Sequence, residues 1–485
     1  MASSATIVWF RQDLRLADNP ALTAAADRGA PVLGAYVLDD ETPGHWRLGG
    51  ASRWWLHHSL AALSRSLATH GVSLVIRRGR SAPVLAKLAA ETGAAAVFWN
   101  GHLEPHWRQA ESEVEQALAA HGIASRAFGL PLLFEPARVV GRSGGAFKVF
   151  TPFWRACLAA APPAAPLPAP ERLHGVEGFA DGSTSEDLRL LPSRPDWAAG
   201  LRASWSPGET EAQARLAAFL DHDLAGYAAL RDRPEPGATS RLSPALHFGE
   251  LSARQVWHAT AMRMAIERQV AADGHAFLRE LGWREFYARI LIEHPDVAEA
   301  PMQARFAAFP WASAPAGLRA WQQGCTGFPI VDAGMRQLWH TGWMHNRVRM
   351  IVASFLTKDL LIPWQDGEAW FWDTLVDADM ANNAGGWQWV AGCGTDAAPF
   401  FRIFSPVRQG ETFDPPGDYV RRWVPELKRL PARWIHQPWA APPLELDAAA
   451  VRLGATYPCP ILDHDRARKR ALAAFTSLRS PQAPK

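Results

Sequence analysis

The sequence predicts an α/β N-terminal domain with a parallel, Rossmann-like sheet, followed by an all-α C-terminal domain. Over the first 130 residues short apolar runs alternate with amphipathic helical patterns, the rhythm of strands buried on both faces and joined by crossover helices. A Pro-rich stretch then interrupts all regular periodicity, and from Thr210 onward only helical periods recur. A chain of 485 residues also exceeds what one compact core usually takes, so two or three domains are expected.

Taken in order, "TIVWF", "PVLGAYVL", "VSLVIRR", "AAVFWN" and "IASRAFG" are the expected buried strands. Between them "RWWLHHSLAALSRSLATHG", "APVLAKLAAETG" and "EVEQALAAHG" read as helices, each stopped by glycine. Neither GxGxxG nor GxxxxGK[ST] follows the first strand, so the usual dinucleotide fingerprint and phosphate loop are missing. "AAAPPAAPLPAP" and the Pro-, Ser- and Asp-rich residues after it cannot continue helix or central strand. Residues 131–208 are therefore expected to form a surface linker between domains 1–130 and 209–485. Beyond it, "TEAQARLAAFLDHDLAGYAAL" opens with a Thr210-x-x-Gln213 capping box and places Leu216, Phe219, Leu220, Leu224 and Tyr227 on one face. Helical periodicity returns over 252–269, 275–293, 333–358 and 368–375.

Composition narrows the function. Hydrophobic residues at 48% and charged residues at 20% are ordinary for a globular chain, but 23 tryptophans are not, and core packing must account for most of them. The net charge of +2 is shared by two nearly neutral halves, so nucleic-acid binding would need a local basic patch. Cys157, Cys325, Cys393 and Cys459 are too scattered for a disulfide framework or a zinc site, and no metal is expected. The start does not read as a leader and no run of 18 apolar residues occurs, which points to the cytoplasm.

Chemistry concentrates in four stretches. In "GATSRLSPALHFG" Thr239, Ser240, Arg241 and Ser243 offer hydroxyls, backbone amides and a cation just ahead of a helix-like segment. That suits a phosphate, although a plain N-cap also explains it. In "FLRELGWREFYARIL" Glu280, Trp283 and Arg284 share one helical face. Either a salt bridge beside a half-buried indole or a ligand site accounts for them: the indole stacks, the acid bonds a polar edge and the guanidinium meets an anion. "TGWMHNRVRMIVASFLTKDLL" sets Asn346 with Arg349, and Arg347 with Met350, on two adjacent stripes. A charged face explains the arginines but not His345 and Asn346 beside Trp343. In "DADMANNAGGWQWVAGCG" Asp377 and Asp379 are poor interior residues unless a cation meets them, for which Arg349 is the candidate, and Asn382 and Asn383 need partners if buried. Trp387 and Trp389 face one side if extended and diverge by about 200° if helical.

These stretches, with "VWFRQDLRLADNPAL" and "GTDAAPFFRIFSPVRQGETFDPPGDYVRRWVPEL", closely resemble the DNA photolyase and cryptochrome family, on the branch of bacterial cyclobutane pyrimidine dimer photolyases. The resemblance runs nearly end to end and is weakest through the linker. It implies an FAD held by Tyr227, Thr239, Ser240, Arg241, Leu242, Ser243, Phe277, Arg284, Asn346, Arg349, Asp377, Ala378, Asp379 and Asn383, with "TSRLS" on the phosphates. Asn383 matches the residue facing flavin N5, where plant cryptochromes carry Asp. Glu280, Trp283, Asn346, Arg347, Met350 and Trp389 match the lesion pocket, with Arg231 and Gln409 as further DNA contacts. Base flipping by photolyases is a standard example of the process. Trp387, Trp364 and Trp311 match a three-tryptophan electron relay.

The implied activity is light-driven splitting of cyclobutane pyrimidine dimers in DNA by a monomer. Rivals are a cryptochrome photoreceptor, a (6-4) photolyase, which would carry a histidine pair where His345 and Asn346 stand, and a dark electron-transfer flavoprotein. The antenna departs from the family pattern. His106 and Trp107 replace an Asn-Glu pair, and Ala298 and Glu299 replace a Cys-Lys pair. Methenyltetrahydrofolate or a deazaflavin, stacked on Trp46, Trp54 or Trp55, is the expectation if an antenna binds.

Overall fold

The computed structural model describes residues 4–141, 147–177, 182–235, 237–396 and 401–478. Residues 397–400 of the "GTDAAPFFRIF" motif, and the part of "TSLRSPQAPK" beyond Leu478, lie outside the described residues.

Five parallel strands, β1 (Thr6–Phe10), β2 (Val32–Leu38), β3 (Leu74–Arg78), β4 (Ala96–Asn100) and β5 (Ala124–Phe128), form one sheet in the order β3-β2-β1-β4-β5. Ile7 lies opposite Leu33 on one side and Val97 on the other. The apolar runs of β1 and β2 are buried throughout, as parallel strands covered on both faces require. β5 differs from expectation: Ala124 to Ala127 are exposed. It is the last strand in the order, so one edge and its Arg126 meet solvent.

The helices are α1 (Pro20–Asp27), α2 (Gly50–Ala68), α3 (Ser81–Thr92), α4 (Pro105–Ala120), α5 (Phe150–Ala159), α6 (Ala199–Ser204), α7 (Glu209–Ala218), α8 (Tyr227–Leu230), α9 (Ser243–His247), α10 (Ala253–Ile266) and α11 (Ala271–Glu293). They continue as α12 (Pro315–Gln322), α13 (Pro329–Thr341), α14 (Asn346–Ser354), α15 (Trp364–Thr374), α16 (Met380–Ala391), α17 (Pro406–Phe413), α18 (Asp418–Trp423), α19 (Ala432–Ile435), α20 (Pro443–Ala448) and α21 (His464–Ser477). Among the described residues no strand follows β5.

Three local readings are corrected. The N-cap of α7 is Gly208, so Thr210 lies inside the first turn and Gln213 bonds Glu209 instead of closing a capping box. The period over 333–358 is two helices, because Gly342 takes φ +65° and ends α13 before His345 caps α14. Inside the expected linker 131–208, just ahead of its proline-rich run, α5 is an ordered helix that buries Phe150, Phe153 and Cys157.

By compactness the chain divides into two units, a grouping different from the composition-based segments. The first comprises residues 1–225, 240–295 and 376–379; the second comprises 226–239, 296–375 and 380–485. In the first unit the sheet core of Trp9, Val37, Val75 and Trp99 is joined by buried polar fastenings. Glu285 of α11, 3% exposed, accepts both the Leu133 and Phe134 amides at 3.0 Å. Glu250 accepts Trp55 Nε1 at 3.0 Å and the Gly208 amide at 2.7 Å. Burial pushes both carboxyls up to about 7 against the hydrogen bonds that favour the charged form.

Because the folded state raises these carboxyls above their unfolded value, their stabilising contribution is complete below that value and is lost as pH rises through about 7. Glu285→Gln cannot titrate. Its stability deficit relative to the parent chain, measured by denaturant unfolding, should be larger at about pH 5.5 than at about pH 8.

Candidate functional site

In the first unit, Arg241 adopts φ +51° and its guanidinium lies 4.3 Å from the Trp205 ring. Ser240 and, one residue before it, Thr239 are partly exposed. The following helix, α9, has only five residues and Leu242 at its N-cap, so the expected helix dipole contributes little. What recommends this run for a phosphate is therefore the hydroxyls and the cation. Leu242 is buried and Ser243 exposed.

The long helix α11 carries Phe277, Glu280, Trp283 and Arg284. Phe277 is buried against Phe219 with ring centroids 4.6 Å apart, while Glu280, Trp283 and Arg284 are partly exposed. Arg284 Nη2 donates to the Leu246 carbonyl at 3.3 Å. Asp377 and Ala378 are buried, and Asp379 Oδ2 lies 3.9 Å from His247 Nδ1. His247 is 3% exposed and neither ring nitrogen has a hydrogen bond among the described residues. Its place in "SPALHFG" gave no signal, because a lone histidine beside Phe248 reads as core.

In the second unit, buried His345 caps α14, its Nδ1 accepting from the Arg347 amide at 3.1 Å. Burial pulls its pKa down to about 4, so the ring is neutral near pH 7. On α14, Asn346 is exposed and Arg349 Nε donates to the Met344 carbonyl at 2.7 Å. Arg347 is paired with Asp232 at 3.0 Å, lies over the Phe413 ring at 4.3 Å and approaches Met350 Sδ at 3.9 Å. Gln409 is one turn before Phe413 on α17, so the structure gathers Arg347, Met350, Phe413 and Gln409. Arg231 ends α8 with its guanidinium 5.8 Å from the Tyr227 ring.

Helix α16 resolves the ambiguity of the tryptophan pair. Because the segment is helical, Trp387 points inward and is 3% exposed, whereas Trp389 is partly exposed. Asn383, one turn before Trp387, is buried on the same side. It donates one amide hydrogen to the Glu368 carbonyl at 3.1 Å, and its side-chain oxygen accepts no hydrogen bond from the described residues. That oxygen is suited to a ring N–H of a bound heterocycle, so the residues fit a flavin. Nearby Glu368 is buried, and desolvation raises its pKa well above the usual carboxylate range.

The relay candidates differ in exposure: Trp387 and Trp364 are buried and Trp311 is partly exposed. Trp387 packs T-shaped on Phe371 at 5.0 Å and on buried Trp321 at 6.2 Å. It rests on Gly367 of α15, where an added Cβ would lie 2.1 Å from its ring. Trp364, 1% exposed, is one turn from Gly367 on the same helix. The Ala312 amide bonds the Leu361 carbonyl at 2.7 Å, so the residue after the partly exposed Trp311 is tied to the segment that leads into Trp364. Trp321 left no trace in the sequence pattern, since spacing cannot tell one core indole from another.

For an antenna, Trp54 and Trp55 are withdrawn. They are 1% and 3% exposed, and Trp55 is committed to Glu250 and to Phe248, 6.1 Å away and nearly parallel. Trp46 is partly exposed, 4.9 Å from His45. His106 pairs with Glu104 at 3.1 Å and stands 5.3 Å from the Trp107 ring. In the second unit, Ala298 is buried and Glu299 exposed.

A five-stranded parallel sheet, followed by a helical half with a buried amide suited to a flavin, defines an α/β-plus-helical flavoprotein architecture. A family model described as the FAD binding domain of DNA photolyase matches residues 277–477, and one described as DNA photolyase matches residues 6–171. The chain is 48% identical to a deoxyribodipyrimidine photo-lyase of Agrobacterium fabrum over 99% of both chains. It is 41% identical to cryptochrome-1 of Arabidopsis thaliana, over 98% of this chain and 70% of that one. A solved bacterial class III photolyase from Agrobacterium tumefaciens superposes with a TM-score of 0.95 at 48% identity, covering 99% of this chain and 98% of that chain. The chain belongs to the DNA photolyase family.

Gly367→Ala would force ring or helix to move and should cost about 1–3 kcal/mol in denaturant unfolding. Gly386→Ala on α16, whose Cβ would meet nothing within 4 Å, should be neutral or stabilising by about 0.5–1 kcal/mol.

Proposed function

We propose that the chain is a monomeric, cytoplasmic light-driven lyase that splits cyclobutane pyrimidine dimers in DNA. Identity of 48% to a photo-lyase over 99% of both chains supports the class. The single observation that carries the reading is Asn383, a buried neutral amide with an uncommitted oxygen. When bound and reduced, FAD supplies the photo-excited electron that opens the cyclobutane ring and is returned afterwards, with no net redox change. A neutral amide does not oppose a negative charge on the reduced ring, whereas an acid at this position would favour the cryptochrome reading.

The chain's own residues do the rest. Thr239, Ser240, Arg241 and Ser243 hold the phosphates, and Tyr227, Leu242, Phe277, Arg284, Asn346, Arg349, Asp377, Ala378 and Asp379 line the cofactor. Trp283 and Trp389 stack on the flipped-out bases, where base–aromatic stacking contributes about 1–3 kcal/mol per base. Glu280 hydrogen-bonds the pyrimidine edge. Arg231, Arg347, Met350 and Gln409 meet the DNA. Trp387, Trp364 and Trp311 relay the electron that keeps the cofactor reduced, a role that rests on their match to the family's three-tryptophan chain. An antenna on Trp46 would only widen light capture.

Reduced protein mixed with ultraviolet-treated oligothymidylate should restore thymine absorbance under blue light and not in darkness; equal recovery would reject repair. Glu280→Ala removes a hydrogen bond to a developing charge and should slow splitting by about 10- to 100-fold with bound FAD unchanged. Loss of FAD would instead place that carboxylate on the cofactor.

A further inference from the structure

In the first unit the indole of Trp283 has a wall behind it. Phe150 lies parallel to it at 7°, with ring centroids 3.8 Å apart. One indole face is therefore covered, and a base could stack only on the other. Phe150 is itself 1% exposed and held from three directions. Trp154, one turn along α5, lies nearly parallel at 6.2 Å, Phe286 meets it edge-on at 5.9 Å, and the Arg279 guanidinium is 5.6 Å from its centroid. The packing of α5 on α11 is close because residue 282 is glycine: a Cβ there would lie 2.5 Å from the Trp154 ring.

We infer that Phe150 is a positioning residue for damage recognition, fixing the plane of Trp283 so that its uncovered face meets an extruded pyrimidine dimer. The inference rests on the proposed role of Trp283. A partly exposed indole without a wall would sample several side-chain rotamers, and binding would have to select one. The parallel phenyl ring removes that freedom before DNA arrives, which favours the lesion complex without adding a contact to DNA. Undamaged DNA places no base against Trp283, so its affinity does not depend on the wall.

The test compares dark binding of the FAD-loaded protein to dimer-containing and undamaged oligothymidylate. Phe150→Leu keeps an apolar side chain but loses the planar face. It should weaken lesion binding about tenfold while leaving undamaged binding unchanged. Phe150→Tyr, which keeps the ring, should retain discrimination. Phe150→Met is read in the same way should Phe150→Leu fail to fold. If Trp283→Ala abolishes discrimination and the Phe150 variants keep it, the positioning role is overturned and Phe150 only packs. If Trp283→Ala itself keeps discrimination, the proposed role of Trp283 fails and this inference with it.

Discussion

The rotation of α16 about its own axis is the constraint on which the candidate chemistry turns. Gln388, fully buried between the two indoles in sequence, sets it. Its Nε2 donates to the carbonyls of Val297 at 2.6 Å and Ala300 at 2.8 Å, and its Oε1 accepts from the Met302 amide at 2.9 Å. Leaving such a buried group unmade costs about 1–3 kcal/mol, so a different helix rotation is penalised at several bonds together. With that rotation Asn383 and Trp387 face inward, one turn apart, and Trp389 takes the opposite side.

The end of the helix is fastened by a buried donor. Lys358, wholly buried, donates to the Ala391 carbonyl at the C-terminus of α16 and lies over the Phe401 ring at 3.4 Å. A donor there satisfies a carbonyl that the helix cannot, although burial lowers its pKa well below that of a free lysine. The neighbouring Asp359 is tied to His464 of α21 at 2.6 Å. The second unit thus braces the segment bearing Asn383, Trp387 and Trp389 through bonds made by residues outside it.

The parts legible in the sequence were those that depend on period and residue type. Continuous apolar runs marked β1 to β4, and the 3.6-residue period of "FLRELGWREFYARIL" put Glu280, Trp283 and Arg284 on one helix face. Long-range packing was not legible. β5 is as well formed a strand as its neighbours, but its exposure follows from its place in the sheet order. Thr210 matched a capping pattern, yet the turn began two residues earlier. Phe150 sat in the stretch expected to be a linker, where no local pattern reveals that its ring stacks on one 133 positions later. Trp387 and Trp389 carried two mutually exclusive readings until the backbone decided for a helix.

The most direct measurement is made on Gln388→Leu, which keeps roughly the side-chain volume and removes the bonds that hold α16 at its rotation. In FAD-loaded protein, light-driven reduction of the oxidised flavin and dark affinity for dimer-containing DNA should fall together, because Trp387 and Trp389 turn with the same helix. A variant that loses one property while keeping the other at parental level would contradict a shared rotational setting of the two indoles.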